Sequence, residues 1–169
     1  MNNLLSDRQY GFRAGVSVSD QLLLTYNYVI SAYDQGCAVD MIYFDYKKAF
    51  DKINHRILLD KLYEIGIRKP LLGWLESFLT GRTMQVVVHG SGSERYSVTS
   101  GVPQGTVLAP LLFLIYVNHV TESVKAEYCL FADDLKLYLS MRSDNFHSIV
   151  DILQDGINSI YHTSRSWGS

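Results

Sequence analysis

Apolar positions repeat at helical spacing in five parts of the chain, and short apolar or alternating runs lie between them. The helical spacing predicts helices over Ser19–Gln35, from Phe50 to Ile65, from Pro70 to about Gly81, from Ala109 to about Glu122 and from Asp144 to about Ser164. The predicted strands are Ala38–Asp45, Gln85–His89, Glu94–Thr99, Ala126–Phe131 and Leu135–Ser140. Strands and helices interleave with no internal repeat or linker, so we expect one domain of the α+β class.

Several positions predict how these elements begin, end and connect. Ser19 or Asp20 is expected to cap the first helix, and Gly36 to end it. The glycines of Gly90–Ser93 suit a hairpin turn, and Gly101–Gly105 is too rich in Gly and Pro for regular structure. Ala132–Asp134 is predicted to form the tip of a hairpin that carries two acids.

Composition narrows the class of protein. The 169 residues include 47% hydrophobic and 19% charged ones, which is typical of a globular domain and excludes a disordered or low-complexity chain. The longest apolar run, Val107–Val117, is shorter than the roughly 18 residues that span a bilayer, and no signal peptide pattern follows Met1. We therefore expect an intracellular protein without a membrane segment, in which Cys37 and Cys129 are buried, reduced thiols.

The charge and the missing motifs limit the chemistry further. Fifteen Lys and Arg against 17 Asp and Glu give a formal net charge of −2, without the basic excess that most nucleic-acid binders show. The sequence has no P-loop, no G-x-S-x-G, no H-E-x-x-H and no C-x-x-C. These absences count against a P-loop NTPase, an α/β-hydrolase, a zincin and a zinc ribbon.

Three acids follow or interrupt apolar strands. Asp133 and Asp134 separate two predicted strands, and Asp45 ends a third. Carboxylates near a protein core need compensation, and Mg²⁺ bound to one or two of them together with substrate phosphates is one way to provide it. The alternative is that Asp simply suits hairpin turns and helix caps.

Four segments in order resemble the motifs of reverse transcriptases. Asp45–Lys52, Ser100–Phe113 and Phe131–Asp134 resemble motifs A, B and C of that family. Upstream, Tyr10–Gly15 together with Ser19 resembles the Gly-Phe-Arg block of non-LTR (LINE-type) retrotransposons. The resemblance extends from about Gln9 to Trp167, and it implies a polymerase palm with part of the fingers, built on a small antiparallel sheet backed by helices.

The resemblance implies a metal site. Asp45 and Asp133 would bind two Mg²⁺ ions, with Mn²⁺ as an alternative ion, and Asp134 would be the third acid of the catalytic set. The backbone carbonyl of Tyr46 would be a further ligand. Asp51 is excluded from this set and is expected to be a solvated residue within a helix.

The resemblance also implies a nucleotide-binding site. Phe50 would lie under the incoming sugar and favour dNTPs, although it also fits the apolar stripe of a helix as a core residue. Gln104 would contact the nucleotide, and Gly105, like Gly101, would let the backbone approach base and template. Arg13 would touch template or nucleotide, or else pin its own loop.

The expected function is that of a retrotransposon RNA-directed DNA polymerase acting in the nucleus or cytoplasm, with an RNA template, a DNA primer and dNTPs as partners. Residues 1–37 would be the end of the fingers and residues 38–169 the palm, with the upstream fingers and the downstream thumb missing. An inert remnant of a mobile element that keeps the palm fold is the first alternative. An RRM-like module is the second, but the RNP aromatic signature is absent and the acids stay unexplained. The sequence does not predict an oligomeric state.

Overall fold

The computed structural model describes residues 4–142 and 144–165. The helices are α1 (Val18–Asp34), α2 (His55–Glu64), α3 (Leu71–Leu79), α4 (Leu108–Val117) and α5 (Phe146–Arg165), with a 3-10 turn at Ala49–Asp51. The strands are β1 (Ala38–Phe44), β2 (Thr83–Met84), β3 (Val87–Val88), β4 (Ser91–Gly92), β5 (Tyr96–Ser97), β6 (Glu127–Phe131) and β7 (Asp134–Met141). The α+β class predicted from the sequence is confirmed, and no described helix is long and apolar enough to cross a membrane.

The contacts divide the described chain into two compact units rather than the single domain expected. The first unit comprises the described residues of Met1–Lys47 and Val117–Trp167, and the second comprises Lys48–Tyr116. The sequence between motifs A and C therefore carries enough apolar side chains to bury a hydrophobic core of its own. The predicted boundary between fingers and palm at residue 37 stays a prediction.

The first unit is built on a three-stranded antiparallel sheet in the order β1-β7-β6. One face of the central strand carries Leu135 and Leu137, which pack with Leu153 and Ile160 of α5. On the other face Tyr138 meets Tyr28 of α1 edge to face, with ring centroids 4.9 Å apart. Helices α5 and α1 thus cover opposite faces, because successive side chains of a strand point to opposite sides.

Gly156 shows why a glycine interrupts the helical pattern of α5. A Cβ at this position would lie 3.0 Å from Leu137 Cδ1, so the missing side chain lets the helix approach the sheet closely. The predicted helix persists through this glycine from Phe146 to Arg165.

The second unit contains α2, α3, most of α4 and two short strand pairs, β2 with β5 and β3 with β4. Helices α2 and α3 pack against each other. The most deeply buried apolar side chains of this unit are Ile53, Leu58, Leu62, Leu79, Phe113 and Leu114.

The structure corrects several helix bounds. Ser17 caps α1, not Ser19 or Asp20, because its side chain accepts a hydrogen bond from Asp20 N while the Asp20 carboxylate accepts one from Ser17 N. The helix predicted from Phe50 is broken, since the Asn54 side chain caps α2 by accepting bonds from the backbone of Arg56 and Ile57.

Other differences concern turns, strands and burial. The inner hairpin turns at His89–Gly90, both at positive φ, because a two-residue hairpin turn of this hand requires left-handed backbone. Helix α4 ends at Val117, short of Glu122. Strand β1 lies at a sheet edge and is half-exposed, not buried, and Cys37 next to it is only half-buried, whereas Cys129 is buried.

Candidate active site

The β6–β7 hairpin presents two of the three predicted catalytic acids. Phe131 pairs with Asp134, so the turn consists of Ala132 and Asp133, and Asp134 is the first residue of β7. Ala132 has φ +55°, a left-handed conformation that costs a residue with a Cβ on the order of 1–3 kcal/mol. Asp133 is half-buried at the turn and Asp134 is exposed.

The end of β1 lies beside the start of this hairpin. Phe44 pairs with Leu135, and the next position along each strand is an acid, Asp45 on one side and Asp134 on the other. Tyr43 pairs with Lys136, so alternation places Asp45 on the face of Tyr43 and Asp134 on the face of Lys136. Both acids therefore lie on the face of the sheet that α1 covers.

A cavity of about 330 Å³ opens at this edge of the sheet. Asp45 and Asp134 line it, together with Val18 and Gln21 of α1, Tyr43, Phe44, Phe131, Leu135 and Lys136. Asp133 is not among the lining residues. The structure thus brings two of the predicted acids to one cavity, and a joint site with Asp133 stays a prediction.

The donor chemistry of these acids suits a hard divalent cation. Within residues 4–142 and 144–165, no hydrogen bond or ion pair engages the carboxylates of Asp45, Asp133 or Asp134. Carboxylate oxygens are the ligands that Mg²⁺ prefers. No group of three or more His, Cys, Asp or Glu side chains in this described part is arranged to hold a metal ion.

Tyr46 fixes the backbone that follows Asp45. Its ring packs against the apolar cluster of the first unit, and burial raises the pKa of its hydroxyl to about 12. This half-buried aromatic ring therefore anchors to the first unit the residue whose carbonyl the resemblance assigns to metal binding.

The segment before α1 lies along the outer edge of β6. Tyr10 N donates to Leu130 O at 2.8 Å, and Leu130 N donates to Arg8 O at 2.8 Å, as in a short parallel pairing. The Arg13 guanidinium donates to the carbonyls of Ser6 at 2.5 Å and Gln9 at 3.2 Å. The observed contacts are those of a residue that pins its own loop, and a nucleotide contact for Arg13 stays a prediction.

In the second unit, the loop that begins at Gly101 is tied to neighbouring backbone. Gly101 N donates to Ile53 O at 2.8 Å, and the Gly101 carbonyl accepts bonds from Arg82 Nη2 at 2.6 Å and His55 Nε2 at 2.8 Å. Gly101 has φ +81°, and a Cβ there would lie 2.7 Å from Asp51 Cα. Glycine is required by both the backbone conformation and the close approach.

Asp51 has a partner that the sequence did not predict. It is exposed, as expected, but its carboxylate Oδ1 accepts a hydrogen bond from Gln104 Nε2 at 2.7 Å. Its backbone carbonyl also accepts from Ser100 Oγ at 2.8 Å. Asp51 is therefore not merely solvated, because it holds the glutamine predicted to contact the nucleotide.

The other predicted nucleotide residues of this unit have distinct surroundings. Phe50 is half-buried and stacks on Phe113, with centroids 4.4 Å apart. Gly105 has φ +80°, and among the described residues no atom beyond Gly105 and its chain neighbours lies within 4 Å of the position its Cβ would take. Phe50 therefore has the surroundings of a packed ring, whereas Gly105 has open space beside its backbone.

Comparison with protein families decides the relationship. The family model described as reverse transcriptase (RNA-dependent DNA polymerase) matches residues 1–168. The chain belongs to the reverse transcriptase family. The resemblance found in motifs A, B and C is thereby confirmed over nearly the whole sequence.

Curated relatives of this reverse transcriptase chain come from insect non-LTR elements. The probable RNA-directed DNA polymerase from transposon X-element of Drosophila melanogaster is 32% identical over 166 residues, which is 95% of this chain but 18% of the relative. The RNA-directed DNA polymerase from mobile element jockey of Drosophila funebris is 28% identical over 94% of the chain and 18% of its own length. The chain thus spans about a fifth of the length of these relatives.

Solved structures share the fold. Telomerase from Candida albicans in complex with the TWJ fragment of telomeric RNA superposes with a TM-score of 0.60 over 87% of this reverse transcriptase chain and 29% of its own, at 16% identity. Apo telomerase from Candida tropicalis truncated from its C-terminal domain gives 0.59, also at 16% identity, over 87% of this chain and 32% of its own. At this identity the likeness concerns the fold alone.

Proposed function

We propose that this chain carries the active site of a retrotransposon RNA-directed DNA polymerase. The reaction joins a deoxynucleotide from a dNTP to the 3′-hydroxyl of a DNA primer paired with an RNA template, and pyrophosphate leaves. The observation that supports it most is that Asp45 and Asp134, from strands far apart in sequence, line one cavity on one face of the sheet.

The acids are proposed to hold two Mg²⁺ ions, with Mn²⁺ as an alternative. Asp45, Asp133, Asp134 and the carbonyl of Tyr46 would supply oxygen ligands, and the three carboxylates have no competing partner among the described residues, which agrees with that role. Divalent ions bound there would activate the primer hydroxyl and neutralise the triphosphate. The protein's own contribution is to hold the carboxylates at the ends of paired strands, where β1 and the β6–β7 hairpin lie side by side.

Residues of the second unit are proposed to bind the incoming nucleotide. Gln104 would contact it, Phe50 would exclude a 2′-hydroxyl, and the open space beside Gly105 would admit the base or template. Arg13 is proposed either to touch the template or nucleotide or to act through its loop, where its Nη1 donates to the carbonyls of Ser6 and Gln9.

The proposed organisation assigns residues 1–37 to the end of the fingers and residues 38–169 to the palm. A longer protein of the length of the X-element polymerase would supply the remaining fingers and a thumb. We propose that the chain alone grips RNA template and DNA primer weakly, because a net charge of −2 offers little attraction to phosphates.

An inert chain that keeps the palm fold is the second candidate. It is favoured by the finding that no three metal-binding side chains group together within the described ranges 4–142 and 144–165. The two candidates differ in whether synthesis depends on the acids.

Primer extension on an RNA template tests the proposal. The assay compares this chain with a chimera in which it replaces the matching segment of the X-element polymerase, each as wild type, Asp133→Asn and Asp151→Asn. Asp151 is an exposed acid of α5 and serves as the matched control. We expect the chimera to extend the primer, with a loss of about 100-fold or more in Asp133→Asn and no loss in Asp151→Asn.

The isolated chain should show little or no extension in any form. If the chimera folds but extends primers equally well with Asn at position 133, the catalytic assignment is wrong. If it folds and extends none, the inert alternative is favoured.

A further inference from the structure

Gln9 is a buried polar side chain that the proposed mechanism does not use. Only 3% of its surface is exposed, and its polar atoms have hydrogen-bond partners on the backbone. Its Oε1 accepts from Ala132 N at 2.9 Å and from Gly11 N at 2.8 Å, and its Nε2 donates to Ala132 O at 3.3 Å. Backbone N–H groups can only donate, so these contacts fix which end of the amide faces them.

Both backbone polar groups of Ala132 are thus bonded by one side chain. Ala132 has φ +55°, and it directly precedes Asp133 and Asp134 in the turn. A residue in this conformation persists only when its surroundings hold it there. The amide of Gln9 supplies that hold from outside the hairpin, 123 positions away in sequence.

Gln9 is itself firmly placed. Its neighbours Arg8 and Tyr10 exchange backbone hydrogen bonds with Leu130 of β6, and Arg13 donates to its carbonyl. Gly11 allows this segment to lie against the turn, since a Cβ there would fall 2.2 Å from Ala132 N. The Gln9 side chain therefore links the edge of β6, where its own backbone is held, to the Ala132 turn.

We propose that Gln9 is a positioning residue that holds the Ala132 turn and thereby sets the placement of Asp133 and Asp134. The inference rests on the proposed function, because the placement matters only if these acids bind metal ions. Losing the amide frees the turn to relax toward an ordinary conformation and leaves buried backbone groups without partners. A small displacement of catalytic ligands is enough to reduce metal binding and rate.

The test compares Gln9→Met with wild type in the full 169-residue chain. Methionine keeps the length and bulk of the side chain and removes its hydrogen bonds. Thr25→Val is the matched control: Thr25 is also buried and lies on the α1 side of the same sheet, and its hydroxyl bonds Gln21 O and contacts Cys129 rather than the turn. Asp133→Asn reports on the metal site itself.

Amide hydrogen exchange measures the hold on the turn. In Gln9→Met we expect protection of the Ala132 N–H to fall by about tenfold or more while amides of β7 change by less than about threefold. Thr25→Val should leave Ala132 unchanged. Equal loss at Ala132 and throughout β7, or no loss at Ala132, would overturn the inference.

Binding of Mn²⁺, followed by line broadening at the Asp133 and Asp134 amides, measures the consequence. The apparent Kd should rise about fivefold or more in Gln9→Met and stay constant in Thr25→Val. Unchanged affinity in Gln9→Met combined with loss in Asp133→Asn would overturn the positioning role. If Asp133→Asn does not alter binding, the proposed metal site fails, and exchange at Ala132 still decides whether Gln9 holds the turn.

Gln9→Glu keeps the proposal testable should Gln9→Met unfold. A carboxylate can accept both N–H bonds but cannot donate to the Ala132 carbonyl. Protection of the Ala132 N–H should then stay within about threefold of wild type. Full loss of that protection in a folded Gln9→Glu protein would contradict the assigned geometry.

Discussion

The two loops that carry the predicted chemistry are held by different kinds of contact. The Ala132–Asp133 turn is bonded by the buried, neutral amide of Gln9 and contacted closely by Gly11. The loop after Gly101 is bonded through its own backbone and through the exposed, charged side chain of Asp51. The bonds from Gln9 to the turn are buried, whereas the bond between Gln104 and Asp51 is exposed to water, although Gly101 at the start of that loop is itself buried.

This difference bears on how each loop can behave. A buried hydrogen bond cannot be replaced by water when it breaks, so removing one partner leaves an unsatisfied group at a cost of about 1–3 kcal/mol. An exposed bond to a carboxylate competes with solvent and is screened by salt. We infer that the acids of the turn, which are proposed to bind metal ions, are kept in one arrangement, whereas the Gln104 side chain can exchange its partner for a nucleotide.

Gly11→Ala acts on the Ala132–Asp133 turn and should have the largest effect of the substitutions. The new Cβ would meet Ala132 N at 2.2 Å, so the turn or the edge segment must move. We expect the free energy of unfolding to fall by about 2–4 kcal/mol and primer extension by the chimera to fall about 100-fold or more. Denaturant unfolding and single-nucleotide incorporation check both effects.

Gly73→Ala is the control for that substitution. Gly73 lies within α3, and apart from the backbone of its own helix and its chain neighbours no described atom lies within 4 Å of its Cβ position, so alanine should be tolerated or should stabilise slightly. If Gly11→Ala proves as mild as Gly73→Ala, the close approach to the hairpin does not matter for its placement.

Asp51→Ala acts on the exposed side chain of Gln104 and should have a smaller effect than Gly11→Ala. The substitution removes the acceptor for Gln104 but keeps the backbone carbonyl that binds Ser100. We expect the KM for dNTPs in the chimera to rise about fivefold with kcat little changed, because the loop stays docked while its glutamine loses orientation. Asp60→Ala, at another exposed acid of the same unit, should change neither constant.

A double substitution sharpens that result. If Asp51 acts through Gln104, adding Asp51→Ala to Gln104→Ala should raise the KM no further than Gln104→Ala alone. Additive effects would mean that Asp51 contributes by another route. A Gln104→Ala protein with unchanged KM would instead remove Gln104 from the proposed nucleotide site.

The sequence predicts the elements that its local patterns encode. The hairpin around Asp133 and the strand ending near Asp45 follow from short apolar runs, and both appear in the structure within a residue or two. Helix α5 is found despite Gly156, because its apolar stripe extends over several turns. These features depend on residues that are close together in the sequence, so the sequence of one chain is enough to predict them.

Contacts between distant segments were missed. Gln9 stands in a short polar stretch without periodicity, and its partner Ala132 lies far along the chain. The link between Asp51 and Gln104 joins positions 53 residues apart and leaves no local signature. The capping role of Asn54 was visible in its residue type, but the continuous apolar stripe around it favoured an unbroken helix.

Alkaline pH distinguishes tyrosine side chains that are shielded from water from those that are exposed. Burial raises the pKa of Tyr46 and of Tyr138, both in the first unit, to about 12 from an ordinary value of 10. In the unfolded chain both phenols ionise near pH 10, whereas the folded chain keeps them neutral until about pH 12. Their contribution to stability is therefore complete below pH 10 and is lost as the pH rises from 10 to 12.

Tyr46→Phe should remove one of these two contributions. We expect the free energy of unfolding to fall less steeply between pH 10 and 12 than in wild type, with a difference on the order of 2–3 kcal/mol at the upper end. Tyr26→Phe, at an exposed tyrosine of α1, should leave the wild-type dependence intact. An unchanged slope in Tyr46→Phe would mean that this ring is not shielded from water, and the backbone after Asp45 would then lack this apolar anchor.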